Sequence, residues 1–121
     1  MSGNILIAED EVPIRELLQA IFRDEGSRVA VVEDGQAALE ALAATRYDVV
    51  LSNVMMPRLD GCGLANAMHA DPALQHIPLI LMSAAGARLA LEVPQSAYVP
   101  QPFGLGHLLT VVERVLDTAA D

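Results

Sequence analysis

Five short apolar runs alternate with stretches of helical spacing, and this alternation most limits how the 121-residue chain can fold. Three of the runs are apolar almost throughout, as is typical of strands buried on both faces of a sheet. Strands and helices that alternate at this length favour one parallel sheet covered by helices on both faces, with right-handed crossovers. We therefore predict a flavodoxin-like (βα)5 three-layer α/β fold with strand order 2-1-3-4-5. The predicted strands are Ile5–Ala8, Arg28–Glu33, Val49–Asn53, Leu79–Met82 and Ala97–Pro100.

Apolar side chains at helical spacing fill most of the segments between these strands. Helices are predicted from Pro13 to just before Gly26, from Gln36 to Ala44, from Gly63 to Ala70 and from Leu105 to Leu116. Proline suits the first position of a helix, and glycine suits the residue that follows its end. Only fourteen residues separate Ser83 from Tyr98. The helix expected within Ala84–Glu92 should therefore be short or loosely formed.

Length and composition predict a single domain that covers residues 1–121. A chain of this size buries roughly two-thirds of its unfolded surface, and 53% of its residues are hydrophobic, which is enough to fill a core. The formal net charge is −9, and all seven basic residues are Arg. Because this charge repels phosphate groups, we expect no direct contact with nucleic acid.

Three further features favour a cytoplasmic location. Cys62 is the single cysteine, so no internal disulfide can form, as is usual in a reducing compartment. The chain does not open with the basic and then apolar segments of a signal peptide. Its apolar runs are shorter than the roughly 18 residues of a membrane helix, so we expect no membrane span.

Polar residues follow the predicted strands at their carboxyl ends. In open α/β sheets the functional groups gather at this edge, beside the point where the strand order reverses. The residues that the pattern brings to this edge are Glu9, Asp10, Asn53, Ser83 and Gln101. We expect them to form one pocket.

Several short motifs occur in the order found in a known signalling family. They are Glu9-Asp10, Met55-Met56-Pro57, Asp60-Gly61, Ser83-Ala84, Tyr98 and Pro102-Phe103. With these motifs the chain resembles, over essentially its whole length, the CheY-like receiver domain of two-component response regulators. The resemblance implies an acidic pair that helps to hold Mg²⁺, an Asp that accepts a phosphoryl group, a hydroxyl that binds a phosphoryl oxygen and a Lys that pairs with the phosphate. It also implies a signalling domain rather than an enzyme.

Two positions depart from this family pattern. Asn53 stands where the resemblance implies the phosphoacceptor Asp, and an amide oxygen carries no full negative charge with which to attack phosphorus. Gln101 stands where it implies the Lys, and its amide donates hydrogen bonds without bringing a charge. The two losses together leave the local net charge unchanged. We therefore expect a degenerate phosphoacceptor pocket in which the Asn53 and Gln101 amides share a hydrogen bond.

Metal binding should be weakened by the same departures. Asp10, the Asn53 side-chain oxygen and the Met55 carbonyl are the oxygen ligands that the resemblance implies for Mg²⁺. One anionic ligand has become neutral, so we expect a weak Mg²⁺ site and no required cofactor.

The acidic run, Ser83 and Tyr98 also have simpler structural interpretations. The run Glu9-Asp10-Glu11 could cap the first helix, because acidic residues favour helix N-termini. Ser83 could be a turn residue. By resemblance Ser83 and Tyr98 correspond to residues that respond to activation, but Tyr98 could instead be a fixed anchor on an edge strand.

The leading functional hypothesis is an atypical receiver, or pseudo-receiver, that binds a protein without being phosphorylated. Its partner would be a histidine kinase, another signalling protein or a second copy of the chain. One alternative is phosphorylation by another route, through Ser52 or after deamidation of Asn53. Others are an ordinary receiver with an engineered Asp-to-Asn change at position 53, and an unrelated flavodoxin-like ligand binder, which no glycine-rich phosphate loop supports.

Overall fold

A parallel sheet lies at the centre of the structure, a computed structural model that describes residues 3–83, 93–94, 97–101 and 104–120. Within these residues five strands pair in the order β2-β1-β3-β4-β5, which confirms the predicted topology. The strands are β1 (Asn4–Ala8), β2 (Arg28–Val32), β3 (Val49–Asn53), β4 (Leu79–Ser83) and β5 (Ala97–Pro100). The short helix expected within Ala84–Glu92 lies outside the described residues.

Four helices connect and follow these strands in the part of the chain that is described. They are α1 (Val12–Asp24), α2 (Gly35–Ala44), α3 (Gly61–Ala70) and α4 (Leu105–Ala120). Helices α2 and α3 begin one and two residues earlier than predicted because aspartates cap them. Asp34 Oδ1 accepts a hydrogen bond from Ala37 N, and Asp60 Oδ1 accepts one from Gly63 N, both at 2.8 Å. None of the described helices is both long enough and apolar enough to cross a membrane.

The helices cover the two faces of the sheet in pairs. Helices α1 and α4 pack on one face, where Phe22 and Leu108 contact strand residues such as Ile7. Helices α2 and α3 pack on the other face, where Leu64 contacts strand residues such as Leu6. Successive side chains of a strand point to opposite faces. The continuous apolar runs therefore supply both halves of the core, as the sequence pattern predicts.

Strand register brings the carboxyl ends of the central strands level with one another. Ala8 at the end of β1 lies opposite Ser52 of β3, and Asn53 lies opposite Met82 of β4. At the outer pair, Ser83 lies opposite Pro100. The residues that end or follow these strands therefore meet at one edge of the sheet.

Gly61, the first residue of α3, holds the loop after β3 against the sheet. A Cβ atom at this position would lie 2.4 Å from the Asn53 carbonyl oxygen and 2.9 Å from Val54 Cα, both of which are backbone atoms. The Gly61 amide also donates a hydrogen bond to the Val54 carbonyl oxygen at 2.8 Å. Because backbone cannot move aside as a flexible side chain can, only glycine fits here.

We expect Gly61→Ala to lower the free energy of unfolding by about 1–3 kcal/mol or more, because the added methyl group displaces the backbone. Urea denaturation measures the change. Gly106→Ala is the matched control, because nothing lies within 4 Å of a Cβ at that helical position. The control should be stabilising by about 0.5–1 kcal/mol. Equal stability of Gly61→Ala and the wild-type protein would contradict the close approach.

Candidate functional site

The predicted site residues lie together at the carboxyl edge of the sheet. Glu9 directly follows β1, Asn53 ends β3, Ser83 ends β4 and Gln101 directly follows β5. Glu9, Asn53 and Ser83 are buried, and Gln101 is half-buried. Asp10 and Met55, which were also predicted as site residues, are exposed.

The Asn53 amide is held from two sides. Its Nδ2 atom donates a hydrogen bond to Glu9 Oε1 at 3.3 Å, and its Oδ1 atom accepts one from Met55 N at 3.4 Å. The hydrogen bond expected between Asn53 and Gln101 is not formed, because Gln101 Nε2 is buried without a partner in the described structure. The Asn53 side chain thus bonds to Glu9 and not to Gln101, the residue that stands in the Lys position.

Glu9 is wholly buried, and one of its carboxyl oxygens lacks a partner. Within the described residues Oε2 makes no hydrogen bond, while Oε1 accepts the bond from Asn53. Burial, followed by the negative charge of Asp10, raises the pKa of Glu9 from 4.5 to about 7. Hydrogen bonds from the Glu11 backbone and the Asn53 side chain oppose the rise in this pKa and do not cancel it.

The cations of the described residues do not neutralise Glu9. Arg15 is the nearest in sequence, but its Nη1 atom donates to the Glu9 backbone carbonyl at 3.0 Å and not to the carboxyl group. The ion pairs found among these residues are those of Arg58 with Glu33 and Asp34. The Glu9 carboxyl group therefore has no positively charged partner among the described side chains.

Helix capping does not account for the acidic run. Glu11 is the N-cap residue of α1, yet its side chain makes no capping hydrogen bond. Asp10 precedes the cap and is exposed. The interpretation of Glu9-Asp10-Glu11 as a simple cap is therefore not supported, and Glu9 belongs to the pocket.

Arg58 fixes the loop between β3 and α3, and sequence reasoning did not identify it. Its backbone lies in the left-handed region with φ 64°, which is uncommon for a residue with a side chain. Its guanidinium donates from Nε to Asp34 Oδ2 at 2.7 Å and from Nη2 to Glu33 Oε1 at 3.0 Å. The pKa of Asp34 is lowered, first by the hydrogen bond from the Ala37 backbone and then by Arg58. No sequence pattern links Arg58 to residues so far away along the chain.

The Tyr98 side chain contacts Ser83 at its backbone carbonyl group. The Tyr98 hydroxyl donates to the Ser83 carbonyl at 2.8 Å, and Gln101 N donates to the same oxygen at 2.9 Å. Tyr98 is half-buried and packs against the core on the α2 and α3 side of the sheet. This hydrogen bond supports the anchored interpretation of Tyr98 in the described state, while the switch role of Ser83 and Tyr98 stays a prediction.

Oxygen atoms that suit a divalent cation are present at this edge of the sheet, but the Asn53 oxygen carries no negative charge. The Glu9 oxygen without a partner, the exposed Asp10 carboxylate and the Met55 carbonyl are the kinds of oxygen that Mg²⁺ binds. The Asn53 oxygen is neutral and already accepts the Met55 amide. Among the described residues no three His, Cys, Asp or Glu side chains form a metal-binding group. A weak Mg²⁺ site at these atoms stays a prediction.

Comparison with known proteins identifies the family. The response regulator receiver domain model matches residues 5–113. This chain belongs to the response regulator receiver domain family. Receiver domains are signalling modules of two-component systems, and they interact with histidine kinases or other proteins. The predicted family resemblance is therefore confirmed.

Curated relatives include regulators that are longer than this chain. The chain is 38% identical over 111 residues to the transcriptional activator protein PfeR of Pseudomonas aeruginosa, covering 88% of this chain and 35% of that protein. It is 33% identical over 132 residues to the response regulator MprA of Mycobacterium ulcerans, covering 100% of this chain and 56% of that protein. The chain thus spans about half or less of the length of these relatives.

Solved receiver domains have a closely similar fold. The receiver domain of a signal transduction histidine kinase from Syntrophus aciditrophicus superposes with a TM-score of 0.92 at 31% identity, covering 96% of this chain and 91% of that one. The receiver domain of the sensor histidine kinase PA1611 from Pseudomonas aeruginosa gives 0.89 at 27% identity, covering 97% and 99%. That structure has a magnesium ion coordinated in its active-site cleft.

Burial of Glu9 predicts a pH-dependent stability. Its folded-state pKa of about 7 lies above its ordinary value of 4.5, so the folded protein binds more protons between these values. The free energy of unfolding should therefore fall as pH rises from 4.5 to 7, by on the order of 3 kcal/mol, and then level off. Urea denaturation at a series of pH values measures this slope.

The matched variants for this measurement are Glu9→Gln and Glu16→Gln, the second of which changes an exposed residue of α1. Glu9→Gln should flatten the slope between pH 4.5 and 7 and stabilise the protein at pH 8. Glu16→Gln should keep the wild-type slope. A Glu9→Gln profile parallel to that of the wild-type protein would show that Glu9 does not titrate in this range.

Proposed function

We propose that this domain is a pseudo-receiver, a protein-interaction module of two-component signalling that acts without being phosphorylated. The observation that carries the proposal is the Asn53 amide, which stands where the family resemblance implies the phosphoacceptor Asp and is held by Glu9 and Met55. An amide in this position cannot form an acyl phosphate, because its oxygen carries no full negative charge. We accordingly assign no catalytic residue.

Gln101 supports the same function. A receiver that accepts a phosphoryl group needs a cation to offset the charge that develops on the phosphate oxygens. Gln101 brings none, and its Nε2 atom is buried without a partner within the described residues. Both the Asp at position 53 and the Lys at position 101 are absent. A domain that does not accept a phosphoryl group explains both absences, whereas one engineered change at position 53 explains only the first.

Phosphorylation of Ser52 is disfavoured by its geometry. Ser52 is fully buried, and its hydroxyl donates a hydrogen bond to the Asn53 carbonyl at 2.9 Å. Neighbouring residues of a strand point to opposite faces, so the Ser52 hydroxyl does not share the pocket with Glu9. A phosphodonor would therefore have to open the sheet to reach it.

Without phosphorylation, the domain would transmit a signal by binding a protein partner. The candidates are a histidine kinase, another signalling protein and a second copy of this chain. We propose that no cofactor is required and that Mg²⁺ binds weakly if at all, through Asp10, Met55 and the neutral Asn53 oxygen.

Phosphorylation itself is tested by intact-protein mass after incubation with Mg²⁺ and acetyl phosphate. We expect no added phosphoryl group on the wild-type protein, because it lacks a nucleophile. The paired variant Asn53→Asp with Gln101→Lys restores both lost groups and should gain one phosphoryl group. A stoichiometric adduct on the wild-type protein would overturn the proposal, and its loss in Ser52→Ala would identify the other acceptor.

Magnesium affinity tests the charge argument separately. We expect Asn53→Asp to bind Mg²⁺ roughly tenfold or more tightly than the wild-type protein, because a second full negative charge joins Asp10 at the ligand oxygens. Isothermal titration calorimetry with Asn53→Ala as a control measures the difference. Equal affinities of the wild-type protein and Asn53→Asp would show that the charge at position 53 does not limit metal binding.

A further inference from the structure

The loop between β3 and α3, residues 54–60, is bonded to the rest of the protein at both of its ends. At its start, Val54 N donates to the Met82 carbonyl oxygen at 2.9 Å, and the Val54 carbonyl accepts from Gly61 N at 2.8 Å. Near its end, the Leu59 carbonyl accepts from Gly35 N at 2.8 Å. The backbone thus links the two ends of the loop to β4, to α3 and to the start of α2.

The middle of this loop is held mainly by one polar side chain. Met55 is 62% exposed, while Met56 is half-buried against the core. Residues 55–58 make two sets of described hydrogen bonds, which are that of Met55 N to Asn53 Oδ1 at 3.4 Å and those of the Arg58 guanidinium. The first of these is long for a hydrogen bond. Arg58 is therefore the main polar link between the middle of the loop and its surroundings.

Arg58 has an unfavourable backbone conformation. Among the described residues other than glycine, it alone has a positive φ, of 64°. In this left-handed region the Cβ atom of an L-residue crowds the backbone, and Arg lacks the short polar side chain with which Asn and Asp offset the strain. Such a conformation persists only where surrounding contacts hold it. The loop therefore needs an interaction that compensates for the strain at this residue.

The ion pairs of Arg58 can supply this compensation. Its guanidinium donates to Asp34 Oδ2 through both Nε and Nη2, and Nη2 also donates to Glu33 Oε1. Two N–H groups on one carboxyl group fix the orientation of the guanidinium. The Asp34 side chain is wholly buried, and its other oxygen accepts from Ala37 N at 2.8 Å. A carboxyl group that is itself fixed thus determines where the Arg58 side chain lies.

We propose that Arg58 is a latch, a side chain that keeps the loop after β3 in a strained conformation by binding the fixed carboxyl group of Asp34. When the guanidinium is released, the backbone at residue 58 returns to a negative φ, and the middle of the loop moves away from the start of α2. The exposed Met55 moves with it. The loop therefore has two conformations, and the ion pair selects the latched one.

The latch can be opened from the surface. The Arg58 side chain is 63% exposed, so an anionic group of a binding partner reaches its guanidinium while the domain stays folded. Such a group would compete with Asp34 and Glu33 for the same N–H donors. The inference concerns the loop alone, and it does not depend on whether the domain accepts a phosphoryl group.

NMR tests the latch with two readouts. The nuclear Overhauser effect between the amide and α protons of residue 58 reports the sign of φ, because these protons lie closer together when φ is positive. Hydrogen exchange of the Gly35 amide reports the contact between the loop and α2. Arg58→Gln removes the charge and keeps the backbone strain, while Arg58→Asn removes the charge but tolerates a positive φ. Arg28→Gln is the control, because Arg28 is exposed and forms no ion pair within the described residues.

We expect a strong effect between the two protons in the wild-type protein and in Arg28→Gln, and a weak one in Arg58→Gln. Exchange at Gly35 should rise roughly tenfold or more in Arg58→Gln, because the buried carboxyl group loses its partner and the contact opens. It should be roughly threefold slower in Arg58→Asn than in Arg58→Gln, because the strain is smaller.

Three results would overturn the latch. A strong effect between the two protons in Arg58→Gln would show that φ stays positive without the ion pair. Exchange at Gly35 that is as slow in Arg58→Gln as in the wild-type protein would show that the ion pair does not hold the loop on α2. Equal exchange in Arg58→Gln and Arg58→Asn would show that no strain is stored at this residue.

Discussion

The burial of the Glu9 carboxyl group beside the Asn53 amide is the constraint on which the rest of the pocket depends. A carboxyl group that is removed from water is stabilised by hydrogen bonds, by a proton or by a cation. Here Asn53 donates a hydrogen bond to Oε1, while Oε2 has no partner among the described residues. An ionised Asp at position 53 would place a second negative charge at this contact. The neutral amide thus suits a pocket that has no Lys.

The framework around this contact is that of a working receiver. The level ends of β1 and β3 bring Glu9 and Asn53 together, and the close approach at Gly61 sets the loop that follows. Arg58 ties that loop to the start of α2 through Asp34. The receiver scaffold around Glu9 and Asn53 is therefore intact.

The sheet order and most element boundaries were predictable, because buried parallel strands and amphipathic helices leave strong periodic patterns. The predicted strand order alone placed four residues at the carboxyl edge of the sheet: Glu9, Asn53, Ser83 and Gln101. The partners of the individual atoms were not predictable. The Asn53 amide was expected to bond to Gln101 and instead bonds to Glu9, since side-chain rotamers and the exact depth of each strand end decide this pairing. The link between Arg58 and Asp34 joins residues distant in sequence and left no local signal.

Direct titration of Glu9 by NMR is the closest test of its burial beside Asn53. The measurement follows the ¹³C shift of the Glu9 side-chain carboxyl group with pH, together with the side-chain NH₂ signals of Asn53. We predict a pKa of about 7 for Glu9 and a change of the Asn53 signals with the same midpoint, because the two groups share a hydrogen bond. A pKa near the ordinary 4.5, or Asn53 signals that do not follow the titration, would show that the two groups are not held together in a buried pocket.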